Sequence, residues 1–292
     1  MRVGVLANAN SWYLRDLARA AADQHEIVPL DFSHLTAKLD GRGGERFFAG
    51  EIPLASLDAL LVRTMPPGSL EQVIVRMDML GRMAENGLLV LNPPRAIEVA
   101  VDKYLTSAKL QAAGLLSPIT FACQTADEAM QAFAELNGDC VLKPLFGSEG
   151  RGITRLTDEA LALRAFKMLS QMGAVLYLQQ FIPHQGFDIR LFVMGDKVWG
   201  MRRHNAEDWR TNISRGAKGE AFTPDANLQN LAITAARSVG AEIAGIDFLP
   251  GQDGQLYAIE VNAVPGWQAL SRTLKVDIAA EVLQYTQARL GR

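Results

Sequence analysis

The chain has 292 residues, 49% of them apolar and 21% charged, with a net charge of −3. That balance suits a globular protein with one large core or two to three small ones, and it provides no overall attraction to nucleic acid or to an anionic membrane. No apolar run approaches the roughly 20 residues of a membrane span, and a strand pattern starts at once where a signal peptide would stand, so a cytoplasmic protein is expected.

A strand over 3–7 leads through the turn-like Asn8-Ala9-Asn10-Ser11 into an amphipathic helix over 14–23. Short apolar strands are predicted over 27–30, 59–62 and 88–91, with a helix over 69–85 between the last two. This alternation predicts an α/β unit with a parallel sheet. No G-x-G-x-x-G follows the first strand, so a dinucleotide site is not supported. Gly41-Arg42-Gly43-Gly44 follows no recognisable strand and reads as a loop. Asn92-Pro93-Pro94 breaks the chain and marks a boundary.

Residues 95–114 read as one helix stopped by Gly114. From 119 the pattern becomes strand 119–122, helix 126–136, strand 140–145, glycine loop, strand 153–156, helix 158–172, strand 177–181. That is an α+β unit closing at a second boundary near Pro183-His184-Gln185-Gly186. Strands over 188–194 and 197–201 follow, then a polar basic loop, a helix over 228–239, a hairpin, and a closing helix over 277–289. Cys123 and Cys140 lie in apolar strand contexts and read as reduced core thiols. His25, His34, His184 and His204 lack ligand spacing, so zinc is not expected.

The hairpin carries the strongest chemical signal. Ile246 and Phe248 alternate with Asp247, and Ile259 and Val261 alternate with Glu260 and Asn262. A four-residue loop pairing Pro250 with Gln255 sets Asp247 opposite Ala258 and gathers Asp247, Glu260 and Asn262 on one face. Three hard oxygen donors there suit Mg²⁺ or Mn²⁺ with open positions for phosphates. A half-solvated edge hairpin is the plain alternative.

The second signal is Lys143-Pro144-Leu145-Phe146 followed by Gly147, Ser148, Glu149, Gly150, Arg151 and Gly152. The glycines lie between two strands, which excludes a P-loop. A glycine hairpin can still lay bare amides over polyphosphate, and Lys143 adds a charge. An unpaired inward lysine would otherwise be costly. The strand end Gln180-Phe181-Ile182 offers a backbone edge and an apolar wall to a planar base. Asp188 and Arg190 share a strand face, as either a ribose contact or an ion pair. Arg202, Arg203, Arg210, Arg215 and Lys218 form a basic stretch opposed only by Glu207 and Asp208. Its single aromatic, Trp209, and the acidic whole chain favour a clamp for carboxylates and phosphates over nucleic acid.

Taken in order, Asp102-Lys103, Val141-Leu142-Lys143-Pro144, the glycine loop, Gln180-Phe181-Ile182, Asp188-Ile189-Arg190, Arg202-Arg203, Asp208 to Asn212, Ser214-Arg215-Gly216, Gly245-Ile246-Asp247 and Glu260 to Gly266 resemble the ATP-grasp ligases. The likeness is strongest to the RimK-type α-L-glutamate ligases and covers essentially the whole chain. It implies an ATP-grasp fold, α/β and α+β: an N-terminal α/β domain over 1–94, a central lid over 95–183 and a C-terminal subdomain over 184–292. By matching position, Lys103, Lys143 and the loop residues Gly147, Ser148, Glu149, Gly150 and Gly152 contact the ATP phosphates. Gln180, Phe181 and Ile182 frame the adenine, and Asp188 with Arg190 lies at the ribose side. Asp247, Glu260 and Asn262 hold two Mg²⁺ ions, with Mn²⁺ an alternative. Arg203, Arg210, Asn212 and Arg215 serve the phosphates, the acyl phosphate and the amino acid, with His204 as a further donor.

The implied activity is ATP-dependent amide formation through an acyl phosphate. L-glutamate is added to a carboxylate-bearing acceptor, a coenzyme or a protein tail, by a homo-oligomer (dimer or tetramer). Three departures stand out. Gln180 replaces the usual Glu. Trp267 follows Pro265-Gly266 where a smaller residue is common, either facing the acceptor or packing the C-terminal helix. Lys218 stands in a region where many relatives have a small residue. Another ATP-grasp activity, such as a different amino-acid ligase or a small-molecule kinase, is one rival. A non-catalytic ATP-binding regulator is the other.

Overall fold

The computed structural model describes residues 1–147, 150–213 and 216–291. The chain begins β1 (Arg2–Leu6), α1 (Trp12–Ala21), β2 (Glu26–Leu30), β3 (Leu35–Leu39), β4 (Glu45–Ala49), β5 (Ile52–Pro53), β6 (Ala59–Val62), α2 (Leu70–Glu85) and β7 (Leu89–Leu91). β2-β1-β6-β7 form an all-parallel sheet. Its apolar strands are covered by helices, as parallel pairing requires. α2 starts where the sequence places it because Ser69 and Gln72 close a capping box.

The stretch at 41–44 corrects its sequence reading. It follows a strand after all, turning β3 back antiparallel onto β4. β3 is exposed along most of its length, and its short alternation of Leu35, Ala37 and Leu39 with Thr36 and Lys38 went unread.

The next elements are α3 (Pro94–Val101), α4 (Lys103–Ala112), β8 (Thr120–Cys123), α5 (Ala126–Glu135), β9 (Cys140–Lys143), β10 (Thr154–Leu156), α6 (Glu159–Gln171) and β11 (Leu176–Gln180). The single helix expected over 95–114 is two. Asp102 leaves helical dihedrals (φ −87°, ψ 107°) and caps α4 by accepting from Leu105 N. β10-β9-β11-β8 form an antiparallel sheet with its own apolar core, including Phe133, Leu142, Phe166 and Leu178. Cys123 and Cys140 are free and buried there.

The chain ends with β12 (Phe187–Met194), β13 (Lys197–His204), β14 (Lys218–Phe222), α7 (Ala226–Ser238), β15 (Ile243–Pro250), β16 (Leu256–Asn262), α8 (Gln268–Leu274) and α9 (Ile278–Arg289). The antiparallel order is β14-β13-β12-β15-β16. β13 runs three residues past its expected end, so Arg202 and Arg203 belong to a strand and not to the basic loop. Neither β14 nor α8 was legible in the pattern. Helices α3 and α4 pack on β16.

The first and third sheets share apolar clusters, one of which joins Val3, Val5 and Leu17 to Phe192, Trp267 and Val282. Asn92, read in sequence only as a chain breaker, pins them together. Its carboxamide accepts from Glu242 N and Ile243 N, both at 2.8 Å, and donates to Ile243 O at 2.6 Å and to Ala263 O. Among the described residues no helix is long and apolar enough to cross a membrane.

Candidate active site

The predicted hairpin forms with a different register. Pro250 pairs with Leu256, and a bulge between Asp247 and Phe248 sets Asp247 directly opposite Glu260, not Ala258. The extra residue, Ile259, keeps Asp247, Glu260 and Asn262 on one face, and Gly245 lies opposite Asn262. The same face continues onto β12 and β13, because Arg190 opposes Asp247 and Asp188 opposes Arg203.

A row of charges therefore crosses four strands. Arg190 Nη1 donates to Asp247 Oδ1 at 2.6 Å. Arg203 forks onto Asp188, its Nε meeting Oδ1 at 2.7 Å, and its Nη2 also lies 2.9 Å from Asp247 Oδ2. Thr211 Oγ1 donates to Asp188 as well. Asp188, Arg203 and Asp247 are all buried, which sets the hairpin apart from a half-solvated edge. Gly245 permits this packing, since any side chain there would collide with the Arg190 guanidinium.

Burial works against ionisation of Asp247, yet the Arg190 and Arg203 charges outweigh it and hold its carboxyl below the ordinary value. Asp188 goes the other way, since burial raises it more than Arg203 and Thr211 lower it. Glu260 is also raised, by burial and then by the facing Asp247 charge, with Lys103, Arg190 and Lys143 pulling back. Glu260 has no hydrogen-bond partner among the described residues. A half-buried carboxylate left in that state beside a second one calls for a cation.

The lysines come from the other side of the cleft. Lys103 opens α4, and its Nζ donates to Gly147 O at 2.9 Å. Lys143 ends β9, and its Nζ donates to Gln179 Oε1 at 2.5 Å. Burial lowers the pKa of both, Lys143 to about 8, with the Glu260 charge acting in opposition. Gly150 and Gly152 adopt positive φ in the loop that follows. Ser148, Glu149 and Arg215 lie outside the described residues.

Other predicted residues are placed less directly. Gln180 turns toward β8, its N–H donating to Ile119 O at 2.8 Å. Ile182 is buried. Phe181 lines an open cleft of ≈ 400 Å³ with Arg155, His184 and Trp209, and the Arg155 guanidinium sits 3.4 Å above its ring. Arg210 pairs with Asp208 at 2.6 Å and reaches Ile153 O at 3.3 Å, while Asn212 lies against Gly150, so this segment meets the glycine loop. Trp267 is buried, with Nε1 donating to Asp16 Oδ2 at 2.9 Å, so it packs on α1. Sequence reading overlooked Gln179 and Thr211. A glutamine on the same strand face as Tyr177 and Phe181 was the available signal for the first, and nothing local marked the second.

Two antiparallel sheets thus face each other, one presenting lysines and a glycine loop, the other a carboxylate row. That layout is the ATP-grasp fold. Residues 100–286 match the model of the RimK-like ATP-grasp domain, and the chain belongs to that family. It is an ATP-grasp carbon–nitrogen ligase.

It is 32% identical to the tetrahydromethanopterin:alpha-L-glutamate ligase of Methanosarcina acetivorans, over 98% of both chains. It is 25% identical to a probable alpha-L-glutamate ligase of Legionella pneumophila, covering 99% of this chain and 96% of that one. Among solved structures, it resembles the ATP-grasp ligase PsnB in complex with a minimal precursor (TM-score 0.77, 23% identity, 98% of both chains). It also resembles a RimK domain ATP-grasp protein from Sphaerobacter thermophilus (TM-score 0.74, 23% identity, 98% of this chain and all of that one).

Proposed function

We propose that the enzyme adds L-glutamate to a carboxylate of a coenzyme-like acceptor, releasing ADP and phosphate. The observation that carries this reading is the unpartnered Glu260 carboxylate between Lys103, Lys143 and Asp247, in a chain that aligns end to end with a tetrahydromethanopterin:alpha-L-glutamate ligase. The acceptor carboxylate attacks the γ-phosphorus of ATP. The amine of glutamate then attacks the acyl phosphate and expels phosphate. Neither step needs a covalent enzyme nucleophile, so positioning and electrostatics carry the catalysis.

Asp247, Glu260 and Asn262 would hold Mg²⁺, as two ions, with Mn²⁺ able to substitute. The fit rests on hard oxygens and on a carboxylate, Glu260, that has no hydrogen-bond partner among the described residues. When bound, the metal neutralises charge on the transferring phosphoryl group. Asp247 keeps lone pairs for it beyond those taken by Arg190 and Arg203. Lys103, Lys143 and the amides of the 147–152 loop would take the phosphates. Phe181, Ile182 and the Gln180 backbone would frame adenine, with Asp188 and Arg190 near the ribose. Arg203, Arg210, Asn212 and Arg215 would serve the acyl phosphate and glutamate.

The units 1–94, 95–183 and 184–292 are proposed as the working domains, in a cytoplasmic homo-oligomer. The exposed Leu70 and Ile74 on α2 are what support association. ADP release tests the activity. It should require an amino acid and an acceptor together, with L-glutamate preferred across a panel of pterin coenzymes and peptide tails. Preference for a neutral or basic amino acid would overturn the glutamate assignment, and ADP formation without an amine would overturn ligation.

A further inference from the structure

Arg63 is a guanidinium without an anion, and it stands at a place where ligands are expected. It directly follows β6. Its N–H and that of Thr64 both donate to Leu6 O, at 2.9 and 3.1 Å, which puts it at the carboxyl ends of the neighbouring strands β1 and β6. In the order β2-β1-β6-β7 the chain leaves β1 toward one edge and returns on the other side at β6. Open parallel sheets bind ligands in the crevice at that reversal, and here Tyr13, Pro265 and Trp267 line it around Arg63.

Three arginines of the cleft are compensated, whereas Arg202, with an unpartnered Nε of its own, stacks on Phe187 and Phe222. Arg203 pairs with Asp188 and Asp247, Arg190 with Asp247, and Arg210 with Asp208. Arg63 has no carboxylate partner among the described residues. Its Nη2 donates to Pro265 O at 2.6 Å, and its Nε is buried with no partner. The guanidinium lies 4.3 Å from the Trp267 ring centre and 4.9 Å from that of Tyr13. Stacking on rings holds the group flat but supplies little to offset a desolvated charge. Burial brings its pKa down to about 10. A cavity of ≈ 10 Å³ lined by Arg63, Asn92 and Trp267 holds about one water, too little for a substrate group. Arg63 as a whole is only half-buried, so a ligand would meet the guanidinium from its solvent-facing side.

The crevice is joined to the reacting end of the site. Pro265 follows Asn262 by three residues, and Gly266 has no side chain because the Tyr13 hydroxyl occupies that space. The walls thus come from β6, from α1 and from the segment leaving β16.

We propose that Arg63, at the β1/β6 switch point, anchors a substrate carboxylate other than the one converted to acyl phosphate, supplied by either the amino acid or the acceptor. This rests on the ligase reading above. A forked guanidinium matches a carboxylate in two hydrogen bonds and is the side chain suited to that task.

The test compares the full-length chain with its Arg63→Gln and Arg63→Lys variants. Binding of L-glutamate, of glutarate as a bare dicarboxylate, and of neutral glutaramide is measured by calorimetry with Mg·ADP present. Affinity for one carboxylate should fall about tenfold or more in Arg63→Gln, the scale of one charge-assisted contact. Arg63→Lys should fall between, and Mg·ADP affinity should stay within about twofold. Loss for glutamate alone assigns the carboxylate to the amino acid, and loss for glutarate alone assigns it to the acceptor. Unchanged carboxylate binding in either folded variant overturns the subsite. So does a drop in Mg·ADP affinity by the same factor, which marks Arg63 as a domain staple. If Arg63→Gln does not fold, Arg63→Lys alone decides. Turnover with a neutral amino acid by the wild-type chain would overturn the glutamate reading, while the glutarate measurement would still judge Arg63.

Discussion

The two faces of the cleft are charged in opposite ways and compensated to different degrees. On the β12–β16 side, Asp188, Arg190, Arg203 and Asp247 bond to one another, and burial makes each dependent on its partners. On the β9–β11 side, the hydrogen bonds of Lys103 and Lys143 among the described residues go to neutral oxygens, of Gly147 and Gln179, and the carboxylate acting on both is Glu260 across the cleft. The first face is locked before substrate arrives, whereas the second keeps unspent positive charge for an incoming anion. Glu260 is the exception on the locked side, and that is why it is the group best suited to a metal.

The sharpest way to break this contrast is at the carboxylate pair. Glu260→Gln should lower ADP formation on the order of 10²-fold or more, with a melting temperature unchanged or raised, because a like-charge neighbour of Asp247 is removed. Asp247→Asn should lose comparable activity and also roughly 3–5 kcal/mol of stability, since it strands Arg190 and leaves Arg203 with Asp188 alone in a buried site. Equal melting of the two variants in a thermal scan would erase the distinction.

Arg203→Lys comes next. It keeps the charge but loses the fork onto Asp188, so a stability loss of about 2 kcal/mol by urea denaturation is expected, with reduced turnover.

Lys143 sharpens the other face. Its pKa lies near 8 against an ordinary 10.5, so the free enzyme loses this charge as pH rises through 8. Affinity for ATP should decline over that range, and the limb should vanish in Lys143→Arg. Stability has the opposite sign. Between about 8 and 10.5 the unfolded chain binds the extra proton, so Lys143 contributes a stability gain as pH rises across that window. Titrating nucleotide binding and urea melts at pH 7, 8 and 9.5 checks both. Gln179→Leu should have the smallest effect, a rise of about threefold in KM for ATP with kcat preserved, since it frees Lys143 from its one hydrogen-bond acceptor without removing it. A kcat loss equal to that of Glu260→Gln would place Gln179 in the chemistry.

Much of this was legible in the residues themselves. Period-two alternation marked the hairpin and assigned Asp247, Glu260 and Asn262 to one face. The alternation of strands and helices marked the first sheet, and glycines between strands marked the loop that follows β9. These are local signals, set by side-chain periodicity and by the dihedrals that glycine permits. The break at Asp102 was not read, because residues 95–114 carry the pattern of one continuous helix.

What the tertiary structure decided was pairing. Neither the bulge that brings Asp247 opposite Glu260 nor the tie from Arg203 to two carboxylates follows from local sequence, because each depends on which strands become neighbours. Asn92 looked like a chain breaker and is a four-bonded pin between two sheets. Arg63 looked like an ordinary residue after a strand, and its lack of an anion emerged only when the segment after β16 folded against it. Composition and periodicity determine which face of an element is buried. Which charges then meet there is a property of the assembled sheets, and the energetics of burial make that meeting decisive.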